Sequence, residues 1–191
     1  KQHIELSRDI AQKFNIDFRD RILEITSKDE FFVLPEPMIT GPVTRVMSLR
    51  DGQKKMSSSE LSDMTRINLL DTADQISNKI KKAKTDSAAI PENIIEIKDR
   101  YELINLLSIY AGVSGQSQDD ILCEFSGKQF SDLKKGLTDL LVQKICPIGN
   151  EMNKIINEKE YIGNILKDGA EKAKAIAQPV LEETKKIIGL T

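Results

Sequence analysis

The chain has 191 residues, 39% apolar and 30% charged, as in an ordinary soluble globular protein of one or two domains. A net charge of −2 gives no overall pull toward nucleic acid or membrane, so any basic site must be local. No apolar run is long enough to span a bilayer, no signal peptide is visible, and the two cysteines, Cys123 and Cys146, lie outside any CxxC spacing. That excludes a membrane protein, a zinc site and a disulfide framework, and predicts two reduced, buried thiols in a cytoplasmic protein.

The opening run, KQHIELSRDIAQKF, reads as a helix ending near Asn15. His3, Leu6, Ser7, Ile10, Ala11 and Phe14 share one helical stripe, which predicts a packed, hydrogen-bonded His3 rather than a general base. The chain starts at Lys1 with no cap residue before this helix, so an N-terminal part is expected to be absent. FFVL, Phe31–Leu34, is a short strand candidate stopped by Pro35 and Pro37. VTRVMSL, Val43–Leu49, lacks alternation and reads as a strand buried on both faces, as in a parallel sheet. Arg50–Ser62 is rich in serine and charge and reads as a loop.

After about residue 70 the pattern is helical only. Asp71 is the expected cap of a helix with Ala73, Ile76, Ile80 and Ala83 inward; its last turn holds Lys79, Lys81, Lys82 and Lys84, as the macrodipole favours. A linker around Pro91 leads to a helix over Tyr101–Ala111, with Gly112 as its expected C-cap. Ser117 and Asp120 form a capping-box-like start for a short helix through Phe125. Ser131 is the expected cap of a longer helix with Leu133, Leu137, Leu140, Leu141, Ile148, Met152 and Ile155 inward, kinked or broken at Pro147. A last helix runs from about Ile162 to Ile188, with Leu166, Ile176, Val180 and Ile187 in register, Pro179 interrupting it and Gly189 at its end. The fold class expected is mainly α: about two short strands, followed by an all-α bundle, with a boundary between residues 1–70 and 71–191.

KKMSSSE, Lys54–Glu60, carries the chemistry. Lysine ammoniums supply mobile counter-charge to a triphosphate, and serine hydroxyls with backbone N–H groups donate to phosphate oxygens. Small residues let such a loop close and reopen, and Met56 anchors it by packing. The alternative is a solvated surface loop, which composition alone favours.

KMSSS resembles KMSKS, a signature loop of class I aminoacyl-tRNA synthetases. The blocks KQHIELSRDIAQKFN, PEPMI, RVMSLRDGQKKMS, KTDS, NLLSIYAGVSGQS and DGAEKAKAIAQPVLEETKKIIGL resemble, in the same order, the C-terminal part of bacterial-type tryptophanyl-tRNA synthetases. The resemblance implies the end of a Rossmann-type parallel α/β domain over 1–70 and a helical tRNA-binding domain over 71–191. It implies a tryptophan–tRNA ligase: tryptophan and ATP, accompanied by Mg2+, form tryptophanyl-adenylate, and tryptophan passes to tRNA(Trp). It places Lys55, Met56, Ser57, Ser58 and Ser59 on ATP, with Lys55 as the leading catalytic cation and Val46 on the adenine side. A cytoplasmic homodimer is implied for the full-length enzyme.

Two departures stand out. Ser58 occupies the place of the family's second lysine, and losing a charged contact to a transition state costs on the order of 3 kcal/mol, roughly a hundredfold in rate. Lys54 is the neighbouring cation available to compensate. The HIGH motif is missing, since His3 is the only histidine and lies downstream of that motif's place. The chain is therefore expected not to activate tryptophan unaided. A non-catalytic helical RNA-binding or protein-interaction module derived from a synthetase remains the rival reading.

Overall fold

The computed structural model describes residues 1–38 and 45–190, the side chain of Ile94 excepted. The fold is mainly α, with seven α-helices and one two-stranded sheet among the described residues. Its contacts group into two units, residues 1–39 with 159–191, and residues 40–158.

The first unit holds α1 (Gln2–Asp17), α2 (Arg19–Thr26) and α7 (Lys159–Ile188). The predicted spacing does form α1, but only the C-terminal part of its stripe is inward, with Ala11 buried and Phe14 half-buried. Ala11 and Asn15 are buried, whereas His3, Leu6 and Ile10 are exposed, which corrects the expectation of a packed His3. Asn15, one turn on from Ala11, is buried on the same side of the helix. Its Oδ1 accepts from Phe31 N–H at 3.1 Å and Phe32 N–H at 2.9 Å, and its Nδ2 donates to Phe32 O at 2.8 Å. One side chain thus takes the backbone bonds a ladder would need, so FFVL is irregular chain rather than the expected strand. Phe14, Phe18, Phe31 and Phe32 stack around it with ring centroids 4.7 to 6.0 Å apart. In α7, which runs on through Pro179, Ile187 is buried while Leu166, Ile176 and Val180 are exposed. Arg21 Nη2 donates to Lys186 O at 3.0 Å, and the chain leaves α7 at Gly189 with φ 78°.

In the second unit β1 (Met47–Ser48) and β2 (Asp51–Lys55) form an antiparallel hairpin with Met47 opposite Lys55. This corrects both the parallel strand expected over Val43–Leu49 and the loop expected from Arg50; Val43 and Thr44 lie outside the described residues. The hairpin turns here because Gly52 fits against the start of the next long helix. A Cβ on Gly52 would lie 2.6 Å from the carbonyl carbon of Tyr101, so only glycine permits this approach.

The helices follow: α3 (Ala73–Lys81), α4 (Tyr101–Ser114), α5 (Gln118–Phe125) and α6 (Phe130–Asn157). Ser117 caps α5 as expected. The other caps shift by a few residues. Thr72, not Asp71, caps α3 in a reciprocal box with Gln75; Gly115 in the left-handed region, not Gly112, ends α4; Gln129, not Ser131, caps α6. Helix α6 continues unbroken through Pro147, and beyond it Ile148 and Ile155, expected inward, are exposed. Ile76, Ile80, Leu103, Leu106, Leu107, Ile121, Leu122, Leu133 and Leu137 fill the core, and Leu49 from the hairpin turn belongs to it. Because the hairpin shares this core, contacts do not divide at residue 70. Neither thiol is fully buried: Cys123 is exposed and Cys146 half-buried, both unbridged.

Candidate functional site

Strand β2 delivers Lys55 to the hairpin's open end and stops there. The next residue is tethered. Met56 N–H donates to Val46 O at 3.0 Å, and both side chains are half-buried against the core. The three serines then turn outward, with Ser57 Oγ and Ser59 Oγ 2.8 Å apart and Ser59 N–H donating to Ser57 Oγ at 3.3 Å. Glu60 closes the far end. Its carboxylate pairs with Lys54 Nζ at 2.5 Å, and its carbonyl accepts from Arg66 Nη1 at 2.9 Å. The expected constellation of Val46, Lys55, Met56, Ser57, Ser58 and Ser59 is therefore a closed turn, fixed at both feet.

The two lysines differ in their charge state of affairs. The hydrogen bond and charge of Glu60 raise Lys54 above the ordinary lysine range. In this arrangement its cation is paired with Glu60 across an exposed contact. Lys55 is exposed and makes no ion pair among the described residues. It is the loop's available positive charge, and Ser58, also exposed, adds none.

The turn stands on a polar base that the sequence did not reveal. Lys79, placed from the sequence among the lysines that complement the dipole of α3, is only 3% exposed. Its Nζ bridges Asp71 at 2.7 Å and Asp63 at 2.5 Å. Asn68 joins both carboxylates through its side-chain amide, and Arg66 reaches Asp63 at 3.1 Å. The hydrogen bonds from Lys79 and Asn68 hold Asp63 below the usual carboxylate range. Asp71 was expected as a cap; it is instead the buried counter-charge that makes Lys79 tolerable inside.

A second hidden element fixes β1. Asn105, on α4 and 4% exposed, accepts from Met47 N–H at 2.9 Å and donates to Met47 O at 2.9 Å and Ser48 O at 3.2 Å. The strand that carries Met56's partner is thus locked to the helix beneath it. The available signal was a polar residue amid the apolar run LINLLSI. Behind Met56 a groove of about 350 Å3 opens between Val46, Ile67, Ile109, Val113 and Ile145, lined almost wholly by apolar side chains. Among the described residues no three His, Cys, Asp or Glu side chains cluster as a metal site would need, and no helix is long and apolar enough to cross a membrane.

Residues 1–144 match the family model described as tRNA synthetases class I (W and Y). The chain is 48% identical over 199 residues to a tryptophan–tRNA ligase of Brucella melitensis, covering 99% of this chain and 56% of that protein. It is 49% identical over 200 residues to the one of Mesorhizobium japonicum, covering 100% and 56%. It thus spans about half the length of the curated relatives it matches. Among solved structures, tryptophanyl-tRNA synthetase from Mycoplasma pneumoniae superposes with a TM-score of 0.76 at 28% identity, over 99% of this chain and 55% of that one. The Campylobacter jejuni enzyme, solved with ADP and tryptophan, shares the fold with a TM-score of 0.63 at 24% identity, over 98% and 54%. With the family model covering most of its length, this chain belongs to the class I tRNA synthetases of the tryptophan and tyrosine group.

Proposed function

We propose that the chain is the ATP-closing loop and helical portion of a tryptophan–tRNA ligase, with residues 1–70 belonging to the catalytic domain and 71–191 to the tRNA-binding one. One observation carries this reading: Met56 is tethered to Val46, while Lys55 on one side of it and Ser58 on the other are exposed to a ligand. The near-complete match to proteins named tryptophan–tRNA ligase supports tryptophan as the amino acid.

In this reading ATP is a substrate, and the carboxylate of tryptophan displaces pyrophosphate at its α-phosphorus. Catalysis by this part of the site is positioning and charge stabilisation. Lys55 brings an ammonium to the departing phosphates. Ser57, Ser58 and Ser59 offer hydroxyl and N–H donors to phosphate oxygens. Val46 and Met56 present an apolar wall to the adenine side. Lys54, the neighbouring cation, would have to leave Glu60 before it could stand in for the missing second lysine. Mg2+ would accompany ATP as a further counter-charge on its phosphates. The full-length protein is proposed as a cytoplasmic homodimer that passes tryptophan to tRNA(Trp).

The test is tryptophan-dependent ATP–pyrophosphate exchange by the full-length protein beside Lys55→Ala. The expected loss is roughly a hundredfold, from one charged contact worth about 3 kcal/mol. Wild-type exchange by the variant refutes the role of the loop. No exchange by the full-length parent returns the argument to the non-catalytic module, for which Ser58 is the favouring residue.

A further inference from the structure

Between α3 and the first half of α6 lies a recess of about 500 Å3 that the loop does not use. Lys81, Lys134 and Lys135 line it together with the hydroxyl residues Ser77, Thr85 and Ser131. Asp139 is the one carboxylate on its wall, so the lining carries two excess positive charges in a chain of net charge −2.

Lys134 is fixed in that wall. Its Nζ donates to Lys81 O at 3.1 Å and to Ala83 O at 2.7 Å, which spends two of its three N–H groups on the last turn of α3. Burial, and then the charge of Arg50, hold this ammonium below the ordinary lysine range. Arg50 is therefore a further cation close behind the recess, bonded to the carbonyl of Lys82. Ser131 stands in the first turn of α6, where the helix presents its positive end. Capping α3 explains Lys134, and the α3 dipole explains Lys81. Neither explains why Lys135 and the α6 terminus converge on the same concave space with a single carboxylate to offset them. Like charges so gathered repel, and an oxyanion seated among them relieves the repulsion.

We propose that this recess is a phosphate-binding site in which Lys81, Lys135 and the third N–H of Lys134 neutralise the anion and Ser131 and Thr85 donate hydroxyl hydrogen bonds. The phosphate is a backbone phosphodiester of RNA; that source rests on the synthetase reading, whereas the site itself does not.

Two arms separate site from source. In the first, the full chain is titrated with inorganic phosphate at constant ionic strength while the amide resonances of Lys81, Ser131 and Lys135 are followed by NMR. Saturable shifts are expected at these amides, lost in the double variant Lys81→Gln/Lys135→Gln. Lys134 is left intact because it caps α3, and an unchanged thermal transition establishes that the double variant is folded. Absence of saturable shifts in the wild-type chain overturns the site. In the second arm, tRNA binding by the full-length protein is measured across salt concentrations. The double variant is expected to make the slope of log affinity against log salt shallower by about 1 to 2. An unchanged slope beside lost phosphate shifts keeps the site and assigns it a free phosphate instead. Amino-acid activation needs no tRNA, so absent exchange with intact phosphate shifts counts against the synthetase reading alone.

Discussion

Removing the side-chain amide of Asn105 is expected to release β1, the strand paired with the one that leads into the loop. In Asn105→Ala three backbone groups lose their partner: Met47 N–H, Met47 C=O and Ser48 C=O. The site is 4% exposed, so water does not replace the amide without local opening. Each buried group left unpaired costs about 1 to 3 kcal/mol, and part is regained as the strand relaxes, giving about 3 to 5 kcal/mol in all. Native-state hydrogen exchange at the Met47 and Met56 amides reads this directly, because it reports opening of this segment rather than of the whole chain. Protection is expected to fall by roughly two to four powers of ten. Asn105→Asp keeps an acceptor for Met47 N–H but sets a carboxylate against two carbonyls. It is expected to lose as much protection at neutral pH and to recover some on acidification, when the carboxyl donates again. Protection in Asn105→Ala within tenfold of the parent would refute the assignment of Asn105 as the strand's anchor.

The buried pair beneath the loop behaves differently from a surface pair. Lys79→Met leaves Asp71 buried without its counter-charge and is expected to cost about 3 to 5 kcal/mol in urea unfolding, while the double change with Asp71→Asn restores most of it. At Gly52 a methyl group meets the backbone of Tyr101 at 2.6 Å, so Gly52→Ala is expected to lower stability by roughly 2 kcal/mol by denaturation, with the α4 N-terminus shifted in the NMR spectrum. Acid unfolding tests Asp63. Its carboxyl is depressed from the ordinary 3.8, so its contribution is present above that pH and fades as pH falls through the lower folded value. The acid limb of the parent's stability profile is therefore expected to be steeper below 3.8 than that of Asp63→Asn.

Helices with a strong period were legible in the sequence because their apolar spacing is local. Ile76 and Ile80 on α3, and Leu133, Leu137 and Leu141 on α6, are buried as their spacing implies. Cap residues slipped by one to three positions, from Asp71 to Thr72 and from Gly112 to Gly115, because several neighbours had suitable chemistry and packing chose among them. The signature loop was legible as a motif, and so was its resemblance to the synthetases. Its charge balance was not: nothing local distinguishes Lys54 from Lys55, and only the return of the chain at Glu60 pairs one of them.

The amino-acid order alone thus determined the helical class and the family resemblance, since each depends on neighbours along the chain. The strand direction, the inner side of α1 and the buried states of Lys79 and Asn105 were decided by tertiary structure. Each depends on a partner distant in sequence: Tyr101 behind Gly52, Phe32 behind Asn15, Asp71 and Asp63 around Lys79, and Met47 against Asn105. A polar group's free energy is set by whether such a partner arrives, and sequence periodicity carries no record of that arrival.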